Sequence, residues 1–178
     1  MIHKKSVLAI CGSTRSNSTN EAILKGIATT YSSEFKLELY QGISDLPHFN
    51  PDIADDSLSP FVKKFRDKIM AADGILICTP EYVFSLPGAL KNAIEWTVST
   101  TVFLDKPTAL IVASGIGEKT FESLKLIMTT VGSKMNEDSS ILIQGARSKF
   151  NQEGMPVDEI AGKSIEKMMK GFISLFDS

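Results

Sequence analysis

Two cysteines in 178 residues are too few for a disulfide framework. Cys11 and Cys78 each fall near the end of an apolar run, where cysteine packs as a small hydrophobe; a redox pair is the alternative. The two histidines, His3 and His48, have no Cys or His companions at ligand spacing, so no metal site is expected. No apolar run approaches the ~20 residues of a membrane span. Met1-Ile2-His3-Lys4-Lys5 passes straight into an apolar run, which leaves no room for a signal peptide and makes the cytoplasm the expected location. A net charge of −2 gives no reason to expect nucleic acid or an anionic membrane as partner. Internal repeats and low-complexity segments are lacking too, and the length suits one domain over residues 1–178.

What the chain does have is alternation. Strand candidates are Val7–Cys11, Phe35–Tyr40, Gly74–Thr79, Thr108–Ser114 and Ser140–Gln144. Helical stripes run between and after them. One follows the first strand at Ile23, Ile27 and Tyr31. Ser59-Pro60 reads as an N-cap and first helical residue ahead of Phe61, Phe65 and Ile69. Pro87-Gly88 opens a third helix expected to reach Val98, Phe121 to Val131 make a fourth, and Val157 to Phe176 a fifth. Such alternation indicates an open, doubly wound parallel sheet. The first, third and fourth strands are almost wholly apolar, as central strands buried on both faces should be. Ligands bind beyond the carboxyl ends of such strands, so chemistry is expected in the loops after strands one, three and four.

The first of these loops is Gly12-Ser13-Thr14-Arg15-Ser16-Asn17-Ser18-Thr19-Asn20, rich in hydroxyls and carboxamides, with one guanidinium and no aliphatic side chain. A strand turning into a helix at such a loop aims backbone N–H groups and a positive helix end at one spot. Ser18 and Glu21 have capping-box spacing, which starts the helix near Ser18. A dinucleotide pyrophosphate needs several glycines and the loop has only Gly12. The Gly-Lys-Ser/Thr of a triphosphate loop is missing, and no acidic residue closes the second strand at Leu39-Tyr40-Gln41-Gly42. What remains suits a terminal phosphate monoester, such as that of FMN, or else a polar connection that binds nothing.

After strand three, Thr79-Pro80-Glu81-Tyr82-Val83-Phe84-Ser85-Leu86-Pro87-Gly88 reads as a rigid ledge for a flat heterocycle, or as aromatics folded onto the core or a partner subunit. After strand four, Ser114-Gly115-Ile116-Gly117-Glu118 lets backbone donors approach a ligand closely.

Gly12-Ser13-x-Arg15-x-x-Ser18-x-Asn20, Pro80-Glu81-Tyr82 and Pro87-Gly88-Ala89-Leu90-Lys91-Asn92-Ala93-Ile94-Glu95-Trp96 together resemble the NADPH-dependent FMN reductase family, a flavodoxin-like group that includes quinone, azo-dye and chromate reductases. Leu46 to Asp52, and Phe150 to Gly154 with Asp158, resemble further stretches of it, so the similarity runs nearly end to end. The resemblance implies a three-layer flavodoxin-like fold with a five-stranded sheet in the order 2-1-3-4-5. It implies that Ser13, Arg15, Ser18, Thr19 and Asn20 hold the FMN phosphate. Pro80, Glu81, Tyr82, Val83 and Phe84 would flank the ring, with Ser114, Gly115 and Gly117 closing its pyrimidine side. NADPH or NADH is the implied co-substrate and a small molecule the implied electron acceptor. No protein acid or base is required, so no catalytic residue is named, and Glu81 reads as a structural anchor. Two departures stand out: Val83 replaces the Asn that usually follows Glu-Tyr, and Glu118-Lys119 stands where further glycine is common.

The rivals are a flavodoxin-type electron carrier and a flavin-binding regulatory protein with little turnover. The carrier is disfavoured by a net charge of only −2. Apolar residues lifted at Tyr82–Leu86, with Trp96 on the following helix, lead to the expectation of a homodimer or homotetramer joined there.

Overall fold

The computed structural model describes residues 4–177. The expectations made for Met1 to His3, of a chain entering its first strand without a leader and of a His3 lacking metal partners, lie outside the described residues.

Strand β1 (Lys5–Cys11) leads through the hydroxyl loop into helix α1 (Thr19–Thr30). Then come β2 (Phe35–Leu39), α2 (Pro60–Ala71), β3 (Gly74–Thr79), α3 (Gly88–Glu95), β4 (Thr108–Ser114), α4 (Glu118–Thr130), β5 (Ser140–Gln144) and α5 (Glu159–Ser174). Every neighbouring pair is parallel and the order is β2-β1-β3-β4-β5. This is the expected sheet.

Alternate strand residues point to opposite faces and feed two cores. Leu8, Ile10, Ile75, Ile77, Leu110 and Val112 pack with Val62, Phe65, Leu90, Leu124 and Met128 of α2, α3 and α4. Val7, Ala9, Leu76, Ala109 and Ile111 pack with Ile23, Leu24, Met168 and Phe172 of α1 and α5. Gly12 ends β1 because β3 runs so close there that a Cβ would overlap Thr79 Oγ1.

The helix ends decide what is free to bind. Ser59 caps α2 as its Ser-Pro sequence indicates, accepting from the Val62 N–H at 3.3 Å. Asp158 caps α5 by accepting from Ala161 at 2.8 Å, which leaves Val157 outside the helix and exposed. The capping box at α1 does not form. Ser18 is the N-cap residue but makes no side-chain cap bond, and Glu21 instead pairs with Lys25 one turn on, at 2.6 Å.

Helix α3 stops at Glu95 rather than reaching Val98. Trp96, considered for an interface, is buried in the core. Its Nε1–H donates to Pro47 O at 2.7 Å and its ring meets Phe49 edge-on at 5.2 Å, which ties the long connection after β2 to the sheet. Among the described residues, no helix is long and apolar enough to cross a membrane.

Candidate functional site

Beyond the carboxyl ends of β1, β3, β4 and β5 lies a cleft of about 620 Å³. Ser13, Arg15, Ser18, Thr19 and Asn20 line it from the first loop, Pro80, Glu81 and Tyr82 from the third, and Ser114 and Gly115 from the fourth. Three residues expected with them, Val83, Phe84 and Gly117, are not among its lining.

The hydroxyl end of the cleft gathers hydrogen-bond donors from the loop and the start of α1. Ser13 and Ser18 are nearly buried, and Arg15 stands exposed above them. The Ser13 hydroxyl accepts from the Arg15 N–H at 3.4 Å, which folds the loop back on itself, and Asn17 takes a left-handed φ of 55°. With no side-chain cap on α1, its first-turn N–H groups remain for a ligand, and the helix adds its positive end.

Asn20 lines the cleft, but its carboxamide is bound to the strands behind it. Its Nδ2 donates to Ala113 O at 3.2 Å and its Oδ1 accepts from Cys78 Sγ at 3.2 Å, so the buried carboxamide joins the start of α1 to the ends of β3 and β4. Burial pushes the Cys78 thiol well up and the Cys11 thiol up from the ordinary value, which keeps both protonated and Cys78 a donor. The two face each other in register across β1 and β3. Protonated thiols are poor nucleophiles, so packing is the reading the site supports for them.

Glu81 braces the site from the side. Its Oε1 accepts from the Gly117 N–H at 3.2 Å and its Oε2 from the Thr120 N–H at 3.1 Å. Helix α4 begins after a glycine in left-handed conformation and has no cap of its own, and the Glu81 carboxylate supplies one from the neighbouring loop. This accounts for Gly117: its N–H is spent on Glu81, and its buried Cα lies against Leu142 and Val112. Gly115 differs, because a Cβ there would have nothing within 4 Å. It opens on the cleft.

Val83 and Phe84 form the tip of a two-residue turn. Tyr82 and Ser85 exchange N–H···O bonds of 3.0 and 3.1 Å, and both tip residues have positive φ, 51° and 56°. Such a primed turn favours Asn or Gly, so the Asn missing at Val83 is a missing conformational preference as much as a missing contact. A β-branched residue in the left-handed region costs about 1–2 kcal/mol. Val83→Asn should therefore raise unfolding free energy by about 1 kcal/mol, read from the urea midpoint at unchanged slope. An unchanged or lower midpoint would show that the tip is not strained.

The loop after β5 was not anticipated. Ala146, Arg147 and Ser148 line the cleft, brought there because β5 lies beside β4 and the Gly145 N–H donates to Gly115 O at 3.2 Å. The strand order itself is the signal, since it makes the fourth and fifth loops neighbours. Among the described residues no group of three or more His, Cys, Asp or Glu is placed to hold a metal ion.

With this geometry in hand, comparison with known proteins is specific. A family profile described as NADPH-dependent FMN reductase matches residues 6–146. The chain is 32% identical over 172 residues to the NADH:(hydroxy)cinnamate reductase subunit CrdA of Vibrio ruber, spanning 93% of this chain and 84% of that one. It is 32% identical to an NADPH:quinone oxidoreductase of Arabidopsis thaliana, spanning 92% and 87%. Among solved structures it superposes on FerB, a flavoenzyme NAD(P)H:(acceptor) oxidoreductase from Paracoccus denitrificans, with a TM-score of 0.78, 26% identity and 97% of each chain covered.

Proposed function

The chain belongs to the NADPH-dependent FMN reductase family, an oxidoreductase family with FMN as cofactor, and from that premise we propose that it passes electrons from NADPH or NADH through FMN to a small acceptor of the quinone class. Azo compounds, free flavin and metal oxyanions are the other acceptors of the same chemistry. The observation that carries the reading is the convergence, in one cleft, of an uncapped helix start, the hydroxyls of Ser13, Ser18 and Thr19, and the Arg15 guanidinium.

In this reading those groups hold the FMN phosphate. Asn20 is a positioning residue, fixing the start of α1 against the ends of β3 and β4. Pro80 and Tyr82 flank the ring, and Ser114 and Gly115 border its pyrimidine side, where the room left at Gly115 fits a ligand edge. Glu81 keeps the third and fourth loops in register and touches no reacting atom. FMN, when bound, supplies the hydride and electron chemistry. The chain's own residues bind and orient, and none of them is assigned a proton transfer.

Residues 1–178 act as a single flavodoxin-like domain in this proposal. A cytoplasmic location fits an enzyme drawing on reduced nicotinamide nucleotides, with two cysteines that stay as thiols. The Val83–Phe84 tip, with Val83 94% and Phe84 69% exposed, is apolar enough to be an assembly surface, and we place there the contact of a homodimer or of a dimer of dimers.

The test is direct. The protein purified with FMN should show a flavin absorbance spectrum and oxidise NADPH or NADH in the steady state once a quinone is added. A flavin spectrum without turnover would make it an electron carrier or sensor, and no flavin binding at all would overturn the proposal.

A further inference from the structure

A second cleft adjoins the first. Of about 610 Å³, it runs between the start of α1 and the connection from β5 to α5, and shares Ser18, Thr19 and Arg147 with the flavin cleft. Its own lining adds Glu21, Lys25, Phe150, Asn151 and Gln152. Two cations face one carboxylate, and the carboxylate is already committed, Glu21 pairing with Lys25 at 2.6 Å. Among the described residues, Arg147 has no carboxylate at ion-pair distance. Glu21 and Lys25 offset each other, so among the described residues the cleft's lining keeps one uncompensated positive charge, that of Arg147.

The connection that carries Asn151 and Gln152 is held tightly against α1 just beyond the cleft. Gly154, at a φ of +78°, lies so close to α1 that a Cβ there would overlap Ala22 O, and a Cβ on Gly26 would come within 2.5 Å of Gly154 O. Asn151 closes the same turn, its N–H donating to Met155 O at 3.0 Å and its Oδ1 accepting from the Met155 N–H at 2.8 Å. The Asn151 Nδ2 is left for a ligand. The site is thus a fixed polar trough with an arginine at its junction with the flavin cleft.

A nicotinamide dinucleotide has to place its nicotinamide in the flavin cleft and the remainder of its length somewhere along the protein. On the proposed reductase reading, on which this inference rests, we infer that the second cleft takes the adenosine end of NADPH. Arg147, with Lys25, meets the 2′-phosphate, and Asn151 and Gln152 border the nucleoside. A planar, permanently charged guanidinium matches a phosphate monoester in two places at once, and the 2′-hydroxyl of NADH offers no such partner. Arg147 is then the residue that distinguishes the two nucleotides.

The experiment compares the FMN-loaded parent with Arg147→Gln and Lys25→Gln, using NADPH and NADH with the same quinone. The parent should favour NADPH. In Arg147→Gln the ratio of kcat/KM for NADPH to that for NADH should fall at least about tenfold, carried by KM for NADPH, with a smaller fall in Lys25→Gln. Adenosine 2′,5′-bisphosphate should bind the parent more tightly than 5′-AMP does and lose that advantage in Arg147→Gln. An unchanged ratio, an equal loss with both nucleotides, or no preference for the bisphosphate would overturn the inference. The bisphosphate titration reads the cleft without turnover, so a parent that binds it but oxidises no nucleotide would defeat the reductase reading and leave the cleft assignment standing.

Discussion

Gly115→Leu should give a folded protein that no longer retains FMN. A Cβ at this position meets nothing within 4 Å, and the backbone there is not in the left-handed region, so the apoprotein has no steric reason to reject a side chain. The same open space belongs to the cleft, and a branched four-carbon side chain would fill the room proposed for the pyrimidine edge. Affinity for FMN should fall at least about a hundredfold, or about 3 kcal/mol, with Gly115→Ala showing a smaller loss. Flavin fluorescence titration measures the affinity, and the apoprotein's melting temperature and far-ultraviolet dichroism report folding. A leucine variant that binds FMN like the parent would remove the fourth loop from the site. One that unfolds would show the space at Gly115 to be structural.

The second large effect is expected at Glu81, and it should strike stability and flavin affinity together. Its two carboxylate oxygens take the Gly117 and Thr120 N–H groups at the positive end of α4, both of them charge-assisted bonds at a partly buried position. Glu81→Ala removes both and should cost about 2–4 kcal/mol. Glu81→Gln keeps one acceptor oxygen in nearly the same shape and should recover about half of that. Because the same carboxylate joins the third loop to the fourth, FMN should also bind more weakly to the alanine variant at a temperature where it is fully folded. Chemical denaturation with and without FMN separates the two quantities. An alanine variant with the parent's midpoint and flavin affinity would show that α4 finds its cap elsewhere.

These side chains also show where reading a sequence succeeds and where it stops. The strands were legible because their signals are local: Gly74–Thr79 and Thr108–Ser114 are short apolar runs bounded by breakers, and both are strands over those residues. Ser59-Pro60 was legible for the same reason, since a cap and its helix are adjacent in the chain. The hydroxyl loop offered an anion site by composition, with a polar connection that binds nothing as the alternative. Asn20 could not be assigned its place, because its partners Cys78 and Ala113 are 58 and 93 residues away. Glu81 is likewise 36 and 39 residues from the N–H groups it caps. Trp96 had two readings by size and chemistry, and only the Pro47 carbonyl, 49 residues off, decides for the core. The Ser18–Glu21 pattern failed for the opposite reason. A local motif was present, and Lys25 offered Glu21 a charged partner one turn further along the helix. Arg147 was missed because its relevance comes from strand order, which places a loop late in the chain beside one much earlier.

The primed turn at Val83 and Phe84 bears on how this protein behaves when diluted. An apolar tip this exposed gains when another surface covers it, and if that surface is a second copy, mass action joins folding to self-association. The unfolding temperature then stops being a property of the chain alone and depends on how much protein is in the tube. Across a hundredfold dilution the melting temperature of the FMN-loaded protein should fall steadily, with the Val83→Asp variant losing that dependence. A melting temperature indifferent to concentration over that range would mean that the tip stands alone in water.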